Sequence, residues 1–248
     1  MQSCNSIQIL FRNQQQGMGM PGRFSRVLQD DPGRLPARLL GKLLALRLSM
    51  RGNVVLEGRV RILGVPLIEF RKGSRLTLGD GVILTSRNRG YHLNIQAPVK
   101  LFADGPGAEI RIGAETRIAG SCIHAQRSVV IGKRCLIAGN CQIVDSNGHD
   151  LSFSNVQNRL HTEGASAPIV IEDDVWLGAN TVVLPGMKIG RGSVIGANSV
   201  VSANIPAMAV ARGNPAEVVL DSAMDHGELT ASDFYDLSNG RGKEEIQL

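Results

Sequence analysis

Aliphatic residues recur at every sixth position from residue 171 onward: Ile171, Leu177, Val183, Ile189, Ile195 and Val201 hold this spacing without a break. Four residues after each stand Val175, Thr181, Met187, Ser193, Ser199 and Ile205, and Gly178, Gly190 and Gly196 directly follow three of the aliphatics. An α-helix repeats near 3.6 residues and a flat strand at 2, so a period of six belongs to neither. It predicts a triangular coil, three hexads and 18 residues to a turn, with each aliphatic pointing inward onto its equivalent one turn away. Residues 171–188 and 189–206 make two complete turns.

The same logic runs upstream. Ile131, Ile137 and Ile143 keep the period, with Cys135 and Cys141 at the small position; before them come Ile112 and Ile118, with Thr116 and Cys122. Ile118 and Ile131 are 13 residues apart rather than 12, which places one inserted residue near 124–130. Leu78, Val82 and Leu84 still fit, and weaker traces reach Val54, so the solenoid is expected over 53–206 in some eight turns. Each turn buries little alone and depends on its neighbours. From Asp145 to Pro168 the hexads stop, and the segment is rich in Gly, Asn, His and Ser. A long excursion from a solenoid is a candidate functional loop.

At the other end the period changes. Leu39, Leu40, Leu43, Leu44, Leu46 and Leu48 predict a helix near 36–50, with Arg34, Arg38 and Lys42 forming a basic stripe beside the leucines. Such a helix either caps the next domain or lies on an anionic membrane surface. Charge supports treating this end as an appendage: residues 1–52 hold eight Lys/Arg against two acids, whereas the other 196 hold 19 against 20. Residues 1–22 read as disordered, as does the polar tail 221–248. The expected organisation is therefore 1–52, a basic segment with one helix; 53–220, the β-solenoid; and 221–248, the tail.

Composition narrows the chemistry. Aromatics are 4% of the 248 residues and Gly numbers 29, which suits an Ile/Val/Leu core with many tight corners. Four Cys without paired spacing argue against a disulfide framework or a zinc knuckle, and the cysteines read as small buried fillers. No apolar run reaches the roughly 20 residues of a membrane span, and the N-terminus lacks a signal-peptide pattern, so a cytoplasmic location is expected.

Taken together, Pro168–Asn180 (PIVIEDDVWLGAN), Val183–Gly186 (VLPG), Val194–Ala197 (VIGA) and Gly213–Ala216 (GNPA) resemble the left-handed β-helix, hexapeptide-repeat acyltransferases over about residues 75–220. Within that family the similarity is greatest to the maltose/galactoside O-acetyltransferases and the polysaccharide-biosynthesis acetyltransferases. The resemblance implies an all-β solenoid and direct transfer from acetyl-CoA to a saccharide hydroxyl, with no metal. It places the catalytic His in a loop before the Trp-containing coil, which here is His149, with Asp145 or Asp150 orienting the ring. Histidine suits the task because its pKa lies near neutrality. Backbone N–H groups around Trp176–Ala179 would hold the oxyanion. CoA would lie along the coils against Trp176, Gly178, Ala179, Ala197 and Ser202. The family often has cations where this chain has Ala203, Glu217 and Leu220; Arg212 is the candidate to compensate. The stretch Ile118–Ser121 lacks the sugar-contacting Asn of the galactoside enzymes, so a different saccharide is expected. The family also implies a homotrimer with sites between subunits.

Other histidines keep alternatives open. His161 shares the loop with His149, His92 sits in an irregular insertion, His124 marks the inserted residue, and His226 lies in the tail. A metal-dependent carbonic-anhydrase-like solenoid would need three of them brought together across subunits. A non-catalytic structural solenoid would need none.

Overall fold

The structure, a computed structural model, describes residues 34–221, with side chains from Leu39 to Leu220. The readings of residues 1–22, of His226 and of the tail beyond 221 fall outside them.

Helix α1 (Arg34–Ser49) leads into strand β1 (Val54–Leu56), the first of twenty strands that end with β20 (Glu217–Asp221). Strands three apart in sequence pair in parallel, which sorts nearly all of them into three sheets, the faces of a triangular prism. The first sheet runs β1, β4 (Arg75–Leu78), β7 (Glu109–Ile112), β10 (Ser128–Ile131), β13 (Ile169–Ile171), β16 (Lys188–Ile189); the second runs β2 (Arg61–Leu63), β5 (Ile83–Thr85), β8 (Arg117–Ala119), β11 (Leu136–Ile137), β14 (Trp176–Leu177), β17 (Val194–Ile195), β19 (Ala209–Arg212); and the third runs β3 (Leu67–Phe70), β6 (Lys100–Ala103), β9 (Cys122–Ala125), β12 (Gln142–Val144), β15 (Val182–Val183), β18 (Val200–Val201). β20 departs from the rule, turning back antiparallel on β19 (Ala209–Arg212) at the end of the second sheet.

The register converts the period of six into columns. Inward columns run Ile112, Ile131, Ile171, Ile189 in the first sheet, Ile118, Ile137, Leu177, Ile195 in the second, and Ile123, Ile143, Val183, Val201 in the third. All twelve are at most 3% exposed. Parallel strands buried on one face and cross-linked at every turn make the stack cooperative with its neighbours. The small position four residues on does polar work at the corners: the Thr116 hydroxyl donates to the Gly132 carbonyl and accepts from the Cys135 amide. Ser121 serves Cys141 in the same way, although it stands only three residues after Ile118; Cys122, expected at this small buried position, starts the next strand instead and is only partly buried. Cys135 and Cys141 are themselves buried, their thiols 3.1 and 3.2 Å from carbonyls one turn on. Burial holds the thiols protonated, Cys141 most strongly, with a pKa pushed up to about 11.

Six complete turns are present where sequence spacing suggested some eight. The difference is chain spent off the coil. Ile143 registers with Val183, a step of 40 residues rather than 18, so the loop after β12 (Gln142–Val144) consumes 22. A second excursion follows β5 (Ile83–Thr85) and rejoins at β6 (Lys100–Ala103). It folds down over the corner joining second and third sheets: Asn140 accepts from the Gln96 amide at 2.9 Å and donates to the Asn94 carbonyl at 3.1 Å.

Helix α1 closes the open end of the first turn. Gly41 and Leu48 are buried, Leu44 and Ala45 pack on the core, and a Cβ on Gly41 would lie 2.3 Å from the Ile62 carbonyl oxygen. The capping role expected of the helix is realised on this face.

Candidate active site

The inserted residue near 124–130 acquires a purpose in three dimensions. It is the net of two changes, because the inward positions Ile118 and Ile123 stand five apart and Ile123 and Ile131 eight; the corner between β9 (Cys122–Ala125) and β10 (Ser128–Ile131) is thus two residues longer than a hexad, and its amides converge on one side chain. Asp145, with no exposed surface, accepts from Gln126 N at 2.7 Å and from Arg127 N and Ser128 N at 2.8 Å each. Its backbone holds both ends of the long loop: its amide donates to the His124 carbonyl, and its carbonyl accepts from Ala167 N at 2.8 Å. The strands of the loop root then pair briefly, Ser146 opposite Ser166, with Asn147 N donating to the Ala165 carbonyl and Gly164 N to the Gly148 carbonyl. Arg127 adds a tether to the Ser166 carbonyl at 3.3 Å.

His149 follows directly after this root and is exposed. Its Nδ1 lies 3.2 Å from the Thr162 carbonyl oxygen. A carbonyl can only accept, so the contact assigns the proton to Nδ1 and leaves the lone pair on Nε2, the arrangement a general base requires. The expectation that Asp145 orients the ring is therefore corrected: its carboxyl oxygens are committed to three backbone amides of the neighbouring corner. Asp150 does not hold the ring either; its side chain accepts from the amide and hydroxyl of Ser152. Thr162, which sequence reasoning passed over, anchors both residues, since its hydroxyl also accepts from Asp150 N at 3.0 Å. Nothing in the hexad pattern marks a backbone carbonyl thirteen residues away. His161 ends the short 3-10 turn Val156–His161 and is exposed.

A cleft of about 370 Å³ opens beside the loop root. The root contributes Asn147, Ala165, Ser166 and Ala167, and the corner below contributes Leu184, Pro185, Met187 and Ser202. Ser202 is thus the expected CoA-contact residue that shares an edge with the His149 loop. The others lie elsewhere on the prism. Trp176, on β14 (Trp176–Leu177), is half-exposed on the outer face of the second sheet, between Leu136 and Val194. Ala179 and Ala197 are stacked one turn apart at the corner between second and third sheets, bridged by Asn198 N donating to the Ala179 carbonyl. Asn180 and Asn198 take left-handed φ values of 60° beside them, and the Asn180 amide group donates to the Asn198 side-chain oxygen at 3.0 Å. One chain therefore does not bring His149 and the Ala179–Ala197 corner together.

Two expectations for this corner change. Gly178 is explained by the coil itself: a Cβ would sit 2.5 Å from Ala197 N, so the close approach is between adjacent turns. Of the amides considered for the oxyanion, those of Trp176 and Gly178 already donate to the Ser193 and Ile195 carbonyls. Coil stacking requires these bonds, and Ala179, which follows β14 at the corner itself, is the amide carried forward for that role. Arg212 is register-paired with Glu217 across β19 and β20, so the candidate compensating cation stands opposite an acid.

The remaining histidines are dispersed. His92 lies against Tyr91 with ring centroids 4.6 Å apart, on the excursion that covers the second–third corner. His124 stacks on Phe102 on the third sheet, with Nε2 3.5 Å from Asp104, too poorly aligned to count as a hydrogen bond. Among the described residues of one chain, no three His, Cys, Asp or Glu side chains are grouped to hold a metal ion.

Residues 168–203 match the family model described as bacterial transferase hexapeptide (six repeats). The chain is 33% identical over 188 residues to the "Putative lipopolysaccharide biosynthesis O-acetyl transferase WbbJ" of Escherichia coli (strain K12), a match covering 73% of this chain and 86% of that protein. The 2,3,4,5-tetrahydropyridine-2,6-dicarboxylate N-acetyltransferase of Staphylococcus aureus (strain JH9) is 44% identical, but over 55 residues, 22% of this chain and 23% of its own. Among solved structures, that of the polySia-specific acetyltransferase NeuO superposes with a TM-score of 0.54 at 24% identity, covering 75% of this chain and 82% of that one. With its columns of hexads, its interrupted coil and a relative matched over most of its length, the chain belongs to the left-handed β-helix, hexapeptide-repeat acyltransferases.

Proposed function

We propose that this protein transfers an acetyl group from acetyl-CoA to a hydroxyl of a saccharide or glycan precursor, with His149 as general base. The observation that carries the reading is the ring of His149, held through Nδ1 by Thr162 with its Nε2 lone pair available, on a loop that walls a cleft containing Ser202. The relative in lipopolysaccharide biosynthesis supports a glycan acceptor.

In the first step the acceptor oxygen attacks the thioester carbonyl while Nε2 takes its proton. The tetrahedral oxyanion is met by a backbone N–H, for which the Ala179 amide is the candidate. Collapse expels the CoA sulfur, which recovers the proton from the imidazolium and leaves as the thiol. No acyl-enzyme forms, and no metal is needed. A carbonyl fixes the tautomer of His149 but carries no full charge to stabilise the imidazolium. His149 therefore depends on field from the bound substrates more than a carboxylate-paired histidine would.

Trp176, Ala179, Ala197, Ser202 and Arg212 form the proposed CoA track, with Gly178 serving the packing of the turns beneath it. Because Ser202 and the loop lie on one edge of the prism and Ala179 and Ala197 on another, the reading includes a homotrimer, in which the loop edge of one subunit meets the alanine corner of the next. A cytoplasmic location and peripheral contact of the basic helix with a membrane belong to the same reading. The test is thiol release from acetyl-CoA with a panel of sugars and lipid-linked glycans. His149→Ala is expected to lower turnover by about 10²-fold or more. Unchanged turnover would remove His149 from its role, and light scattering should return three times the 26.6 kDa of one chain.

A further inference from the structure

Helix α1 has two apolar faces, and among the described residues only one of them is packed against the fold. Gly41, Leu44, Ala45 and Leu48 face the first turn of the coil. Leu39, Leu43, Leu46 and Met50 stand exposed at 54, 62, 60 and 77%. At about 100° per residue the second set is centred about 180° from the first, so the cap cannot be covering it. Lys42 and Arg47, both exposed, fall on either side of the exposed stripe, and Arg51 follows. No acidic residue occurs anywhere between residues 34 and 53.

We infer that the outer face of α1 docks on an anionic lipid bilayer, with Leu39, Leu43, Leu46 and Met50 entering the headgroup–acyl boundary and Lys42, Arg47 and Arg51 contacting acidic headgroups. This names the partner and the inserted residues for the peripheral contact in the function proposed above, on which it rests. An apolar stripe flanked by cations is the arrangement that lies in a bilayer interface. Charge decides between occupants: a second copy laid on this face would bring two acid-free basic flanks together, whereas acidic lipid neutralises both. The fold is suited to it, because the cap face anchors the helix to a stacked core, and bilayer contact requires no rearrangement of the coil.

The test is sedimentation of the full-length protein with vesicles of phosphatidylcholine alone or containing phosphatidylglycerol. Binding to the acidic vesicles should exceed binding to the neutral ones by at least about tenfold and weaken with salt. Leu43→Glu with Leu46→Glu should cut it by about tenfold or more. Because both leucines are exposed and Glu is a good helix former, the melting temperature should not move. Equal binding to both lipids, or full binding by the double variant, would overturn the inference, the latter placing the contact elsewhere in the chain. So would a lipid-independent association that the double variant abolishes, which would assign the face to a second copy. Acetyl transfer to an oligosaccharide in solution is read separately. Vesicle binding without transfer would overturn the reaction alone, and transfer without vesicle binding the contact alone.

Discussion

Replacing Asp145 separates a clasp for the loop from an orienting group for the histidine. Its two carboxyl oxygens accept from three amides, those of Gln126, Arg127 and Ser128. Asp145→Asn keeps one acceptor oxygen, which can serve Arg127 and Ser128, and turns an NH2 group toward the Gln126 amide. One unsatisfied amide costs about 1–3 kcal/mol. Asp145→Ala removes both acceptor oxygens and leaves all three amides without them. Simple addition overstates that loss, because the corner is only part-buried and water can reach it, so about 3–5 kcal/mol is expected. In a domain of this size each kcal/mol lowers the melting temperature by about 2–4 °C, which gives a fall on the order of 10 °C for the Ala variant and a few degrees for Asn. Thermal unfolding followed by circular dichroism reads the stability, and thiol release reads the reaction. The clasp predicts that turnover and melting temperature fall together, Ala below Asn. A melting temperature within a degree of wild type for Asp145→Ala would refute it. An Asn variant that melts normally but loses turnover would restore Asp145 as the partner of His149.

Gly178→Ala should be destabilised by about 1–3 kcal/mol, because the added Cβ would meet Ala197 N and Cα at 2.5 and 2.9 Å and the two turns must part. A variant of normal stability with weaker CoA binding would return Gly178 to the cofactor. The thiols offer a test by pH. The Cys141 pKa is raised to about 11 and that of Cys135 is raised as well, so the reactive thiolate is scarce near pH 8 and grows only in strong alkali. Iodoacetamide at pH 8 should leave both unmodified in the native protein and label both after unfolding, as read by mass spectrometry. Rapid native labelling of Cys141 would refute that burial.

The departures between expectation and structure share one character. Spacing identified the columns of Ile, Leu and Val, the small residues at the corners, the break at 145–168 and the helix before the first turn. It also flagged the irregular spacing between Ile118 and Ile131, though without its use. The number of turns was overestimated because excursions consume residues at no visible cost to the pattern. Asp145 resembled a catalytic carboxylate by its nearness in sequence to His149, yet its partners are amides 17 to 19 positions earlier.

What the linear order of residues carries is burial. An inward position must be apolar in every turn, so the architecture, its core and the interruption that bears His149 are written as a period. Partnership is another matter. Whether a buried carboxyl binds an imidazole or a corner of amides, whether a glycine makes room for a ligand or for the next turn, and which face of a leucine-rich helix is covered depend on contacts between residues far apart in the chain. Those contacts are set by the stacking register and the shape of each corner, and they emerge only when the turns are laid on one another.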